Sequence, residues 1–98
     1  MTDRELLEAA ARAAGVHITG EWAGHQHYSP KWNPLTDDGD ALRLAVAMRI
    51  TPHIDSNMTE AEAMTHELDG FFTEPHLTDP YAATRRAIVR AAAAMAAP

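Results

Sequence analysis

The sequence predicts an α+β domain, three or four helices laid on a mostly antiparallel sheet, and three observations carry that expectation. Two long stretches open on helix caps, Thr2 with Glu5 and Asp79 with Pro80. Both present narrow faces of alanine and a few larger apolar residues, which suits close packing on one shared sheet. Between them lie short runs rich in β-branched and aromatic residues, punctuated by glycine and proline, that read as strands.

Residues 2–14 form the first expected helix. Thr2 and Glu5 have capping-box spacing, Arg4 and Glu8 are placed for a side-chain pair, and Gly15 supplies the stop. From Val16 to Tyr28 the pattern shifts to a hairpin, with strands near 16–22 and 25–29 and a turn at Ala23-Gly24. The prolines of Ser29-Pro30-Lys31-Trp32-Asn33-Pro34-Leu35 exclude both helix and central strand, so this is an ordered loop whose tryptophan caps the edge of the core.

The acids of Thr36-Asp37-Asp38-Gly39-Asp40 suit a helix N-terminus, and the helix they open continues to Met48. Apart from Arg43 it is apolar nearly all round, which predicts deep burial. Arg49 to Ile54 is a short strand that Pro52 confines to an edge or an end. Thr59 to Leu68 is ambiguous. A capping box at Thr59 and Glu62 and good helix formers favour helix, while the alternation of Met58, Glu60, Glu62 and Met64 with Thr59, Ala61 and Ala63 is the pattern of a strand. Local propensity makes helix the expectation here. Phe71-Phe72-Thr73 follows as a strand, 74–78 as a loop, and Pro80 to Met95 as the last helix. In that helix Tyr81, Ile88, Ala92 and Met95 share one face, while Arg86 and Arg90 share a solvated one. The expected core contains Leu6, Ala10, Ile18, Leu42, Ala45, Met48, Ile88 and Ala92.

Ninety-eight residues allow one domain with a modest core. With no cysteine, the chain has no disulfide framework, thiolate nucleophile, iron–sulfur cluster or cysteine-containing zinc site. No apolar run is long enough to span a membrane, and Met1-Thr2-Asp3-Arg4-Glu5 lacks the order of a signal peptide, so a cytoplasmic location without membrane contact is expected. The net charge of -6 disfavours nucleic acid as a partner, because phosphate-backbone affinity comes from Lys and Arg contacts.

Two stretches, Trp32 to Val46 and Asp79 to Ala92, resemble small phage and prophage proteins similar to the group described as the phage ABA sandwich domain. The likeness covers roughly half of the chain. It implies a small layered sandwich of helices and sheet in which the middle region, 51–78, contributes strands, and a cytoplasmic setting in a bacterial host. It supplies no catalytic residues.

The candidate chemistry is sparse. His25-x-His27 on a strand would place two imidazoles on one face, with His53 and either Glu21 or Glu74 to complete a divalent-metal site. Helix capping already accounts for most of the acids at Asp37, Asp38 and Asp40, which also lack the alternating ligand spacing of a calcium loop. Ser29, His53, Asp55 and Ser56 form no nucleophile elbow or phosphate loop, so no enzymatic activity and no resident cofactor are expected. Three functions remain. The first is a non-enzymatic accessory module that binds a host or phage macromolecule, most simply a protein. The second is a binder that sequesters a phosphorylated small molecule or nucleotide at Arg85, Arg86 and Arg90 or at the Trp32-Asn33 loop. The third is a metal-binding protein built on His25 and His27.

Overall fold

The structure, a computed structural model, describes residues 1–16, 32–64 and 69–96. In order come α1 (Asp3–Ala14), α2 (Asp38–Met48), β1 (Thr51–Ile54), β2 (Met58–Met64), β3 (Asp69–Pro75) and α3 (Pro80–Ala94). The expected hairpin at 16–29, with Ile18, His25 and His27, lies outside the described residues apart from Val16, as do 65–68. Among the described residues, three helices and a three-stranded antiparallel sheet of order β1-β2-β3 make the fold α+β, as expected.

Local chemistry fixes the helix ends. The Thr2 hydroxyl accepts from the Glu5 amide at 3.1 Å while the Glu5 carboxylate accepts from the Thr2 amide at 2.8 Å. Gly15 leaves α1 at φ 74, a left-handed conformation that costs glycine little. Asp37 caps α2 by accepting from the Asp40 amide, and Asp79 caps α3 by accepting from the amides of Tyr81 and Ala82.

α3 is the centre of the molecule and packs against all three strands and both other helices. Its inner face is unusually small: Ala87, Ala91 and Ala92 are fully buried beside Val89 and Ile88. That allows close approach to β2, whose inward side chains Thr59, Ala61 and Ala63 are themselves small and fully buried. α1 adds Leu6, Leu7, Ala9, Ala10 and Ala11 to the core, and α2 adds Ala41, Leu44 and Ala45.

Four expectations are corrected. Residues Thr59 to Met64 lie in strand β2 and not in a helix; the rest of the expected helix, 65–68, lies outside the described residues. The alternation wins because β2 is the middle strand, hydrogen-bonded on both edges, and turns Thr59, Ala61 and Ala63 toward α3 and Glu60 and Glu62 away. A helix there would forfeit both ladders. The second correction is α2, which is not deeply buried all round: Leu42 and Val46, four apart on the face turned from the core, are 65% and 71% exposed. Met48 is half-buried. Third, Tyr81 is 70% exposed, because at the first turn of α3 it borders an open concavity shared with Leu42 and Ile54. Fourth, Arg86 and Arg90 are not a solvated face; both are half-buried in ion pairs described below.

Among the described residues β1 is an edge strand, the position to which Pro52 confines it. The Asp55 amide donates to the Met58 carbonyl at 3.0 Å, which sets the alternation of the β1–β2 ladder. By that alternation Pro52, opposite Ala61, turns its backbone nitrogen to the open edge, where its missing N–H removes nothing from the ladder.

Candidate functional site

An apolar groove of about 540 Å³ opens between α2, β1 and the first half of α3. Ala41 and Leu42 form one wall, Pro52 and Ile54 another, and Pro80, Tyr81 and Ile88 the third. Three of these are large and exposed: Leu42 at 65%, Ile54 at 61% and Tyr81 at 70%. Each is positioned by an ordinary feature of its element. Leu42 is one position past the Ala41 that packs inward, Ile54 ends an edge strand with no neighbour beyond it among the described residues, and Tyr81 sits at the start of α3 next to its Asp79 cap.

Polar groups enter the groove at one side. Arg85 is 16% exposed, and its guanidinium donates to the Leu35 carbonyl at 2.8 Å and to the Asp38 carboxylate at 2.6 Å. It thereby fastens α3 to the start of α2 and to the loop before it. Asn33 builds that loop. Its side chain accepts from the Leu35 amide, its own amide donates to the buried Asp40 carboxylate at 2.9 Å, and its carbonyl accepts from Thr36 and Asp37. Asp40 in turn accepts from Arg43 at 2.7 Å. Trp32 is half-buried against the core, the capping position expected of it.

The remaining arginines point elsewhere. Arg86 donates to Asp3 at 2.9 Å, tying α1 to α3, and lies 3.9 Å from Glu74. Arg90 donates to Glu74 at 2.8 Å and to the Thr73 carbonyl, with its guanidinium 5.8 Å from the centre of the Phe72 ring. Arg85 therefore faces the groove and Arg86 a second, smaller cleft of about 300 Å³ lined by Asp3, Glu74, His76 and Asp79. An anion seated on all three would have to draw them out of four carboxylate contacts.

His53 lies on the outward face of β1, 2.8 Å from Glu62 and with its ring centre 6.0 Å from that of Phe71. Among the described residues no group of three histidine or carboxylate side chains is arranged to hold a metal ion.

Sequence reasoning missed one polar cluster entirely. The Thr59 hydroxyl sits 2.9 Å from His76 Nε2 and 2.7 Å from the Thr84 hydroxyl, linking β2, the β3–α3 connection and α3 through the core. Thr84 borders the groove and His76 the second cleft. The hydroxyl next to the imidazole belongs to Thr59, which is fully buried and meets no molecule bound at the surface. The cluster is therefore built to join elements. Its signal in the sequence was the placement of Thr59 in register with Ala61 and Ala63 on the inward strand face.

Two exposed turns carry perturbed carboxylates. Backbone N–H groups of Asn57 and Met58 hold Asp55 below the usual carboxylate range, and the Thr2 backbone and hydroxyl do the same to Glu5. Both stay ionised further into acid than a free carboxylate does. No described helix is long and apolar enough to cross a membrane. Comparison with known protein families, with curated proteins and with solved structures finds no match to this chain.

Proposed function

We propose that the chain is a non-enzymatic accessory module that works by binding another protein through the groove between α2, β1 and α3. The observation that carries this reading is the exposure of Leu42, Ile54 and Tyr81 around one apolar concavity. Leaving three large apolar side chains in water forgoes their burial free energy, and a contiguous apolar concavity of this kind is how proteins present a docking surface. The resemblance of Trp32 to Val46 and Asp79 to Ala92 to phage proteins supports a phage or prophage origin, with a host or phage protein as the partner.

A sequestered phosphorylated ligand is the weaker reading, since Arg85, Arg86 and Arg90 are each committed to carboxylates or backbone carbonyls and do not converge. The test is native mass spectrometry on the protein purified from infected or lysogenic bacterial cells, beside the Leu42→Ser variant. A protein partner retained by wild type and lost by the variant is the expected result. A small-molecule or metal mass retained by both chains, with no protein, contradicts the proposal.

A further inference from the structure

We infer that the occupant of the groove is an amphipathic helix whose polar face is basic; this inference rests on the groove being the docking surface. Two features of the site select that chemistry. The first is charge. Asp38 lines the groove, and Asp37, Asp55 and Asp79 are the immediate chain neighbours of lining residues Asp38, Ile54 and Pro80. All four are exposed. Asp55 and Asp79 each use one carboxylate oxygen, Oδ1, to cap a turn or a helix, which leaves the other without a hydrogen bond among the described residues. Arg85 and Asp38, the charged residues that line the groove, neutralise each other, and Arg43 beside Leu42 lies 3.9 Å from Asp37 and 2.7 Å from Asp40; among the described residues the rim charges left without an ion pair are those of Asp55 and Asp79. The rim is therefore negative around an apolar floor, on a chain whose net charge is -6. Apolar side chains flanked by Lys or Arg complement both parts, whereas an acidic segment meets like charge at Asp55 and Asp79.

The second feature decides between helix and strand. An extended peptide would add to the edge of β1 that is open among the described residues, drawing its affinity from backbone hydrogen bonds. Along that edge the alternation set by Asp55 and Met58 turns the backbone of Pro52 and Ile54 outward, and Pro52 has no N–H to give. Strand addition is blunted at the residue that lines the groove. A helix needs no such donors, because its own are satisfied internally, and it fills a groove with side chains spaced i, i+3, i+4 and i+7.

The experiment uses the full chain and three labelled helical peptides of about 18 residues. All carry the same leucine face, and their polar positions are filled with Lys and Arg, with Gln, or with Glu. Fluorescence anisotropy is measured at about 50 mM and about 500 mM salt. The expected result is that the basic peptide binds about tenfold tighter than the Gln peptide at low salt, that the Glu peptide binds weakest, and that high salt compresses the order. Leu42→Ser with Ile54→Ser should weaken the basic peptide by at least about tenfold. Asp55→Asn with Asp79→Asn, which keeps a capping side chain at both positions, should remove several-fold of the basic preference. Equal, salt-insensitive binding of all three peptides that still depends on Leu42 and Ile54 overturns the charge inference and leaves the groove as a docking surface. Binding of none of them, or binding indifferent to Leu42 and Ile54, overturns helix docking at the groove itself.

Discussion

Thr59→Val tests whether the buried cluster joining β2, the β3–α3 connection and α3 holds the fold together. Valine has nearly the shape of threonine, so the change removes a hydroxyl with little change in packing. The Thr59 hydroxyl meets His76 Nε2 at 2.9 Å and the Thr84 hydroxyl at 2.7 Å, and Thr59 itself is fully buried. Two hydrogen bonds worth about 1 kcal/mol each are lost. The penalties left behind differ. Thr84 is half-buried at the groove, where water can replace its partner, whereas His76 is 8% exposed and its Nε2 is left unsatisfied. Leaving a buried ring nitrogen without a partner adds up to about 1 kcal/mol beyond the lost bond, for a total of about 2–3 kcal/mol. In a domain of this size that corresponds to a fall in melting temperature of roughly 10–20 °C. Urea unfolding and differential scanning calorimetry would measure it. Thr59→Ser, which keeps the hydroxyl, should cost about 1 kcal/mol or less. A Thr59→Val cost below about 0.5 kcal/mol, or one no larger than that of Thr59→Ser, would refute the assignment of these hydrogen bonds to stability.

Two further perturbations follow from the structure. Ile88→Ala, at a 4% exposed position in the centre of α3, should cost about 2–4 kcal/mol. Arg90→Ala should cost about 1 kcal/mol, because its half-exposed guanidinium is held by Glu74 and the Thr73 carbonyl; equal costs in urea unfolding would mean that the face of α3 is wrongly assigned. Acid titration probes the capped turns. The native pKa values of Asp55 and Glu5 are lowered by the backbone amides that they accept from, so their contribution is complete above the ordinary carboxylate range. It disappears as pH falls through the lowered native values. Asp55→Asn should flatten the loss of stability in that acid window and leave its slope at neutral pH unchanged. A wild-type acid slope retained in full would locate the responsible carboxylate elsewhere.

The parts of the fold legible in the sequence are those where a local interaction decides the backbone. Thr2 with Glu5, Gly15, Asp37 and Asp79-Pro80 each satisfy or omit specific backbone donors, so their positions mark helix ends whatever the rest of the chain does. Pro52 likewise marked an edge strand by its missing donor. β2 is not legible locally, because Thr59 to Met64 carries helix-forming residues with a capping-box spacing. Its strand state depends on two partners, β1 and β3, that only the folded chain supplies. The groove was hidden for a related reason. Composition shows that α2 is apolar, but which of its faces meets α3 is decided by packing, and Leu42 and Val46 fall on the other. Arg85, Arg86 and Arg90 looked alike as a basic cluster and separate in space because their positions on α3 aim one toward Asp38 and the others toward Glu74. The tryptophan loop is legible in outline; the hydrogen bond by which Asn33 and Asp40 brace it is not, because it joins residues seven apart that only the folded loop brings together.

The most direct test of binding through the groove is site-specific photocrosslinking in the cells that produce the protein. A benzophenone amino acid is placed at Leu42, at Ile54 or, as a control, at Glu8 on α1, outside the groove. All three positions are exposed or half-buried, so the fold should tolerate the probe. The expected result is the same protein partner crosslinked from Leu42 and Ile54 and none from Glu8. Crosslinks to a protein from Glu8 with none from Leu42 or Ile54 would contradict the account.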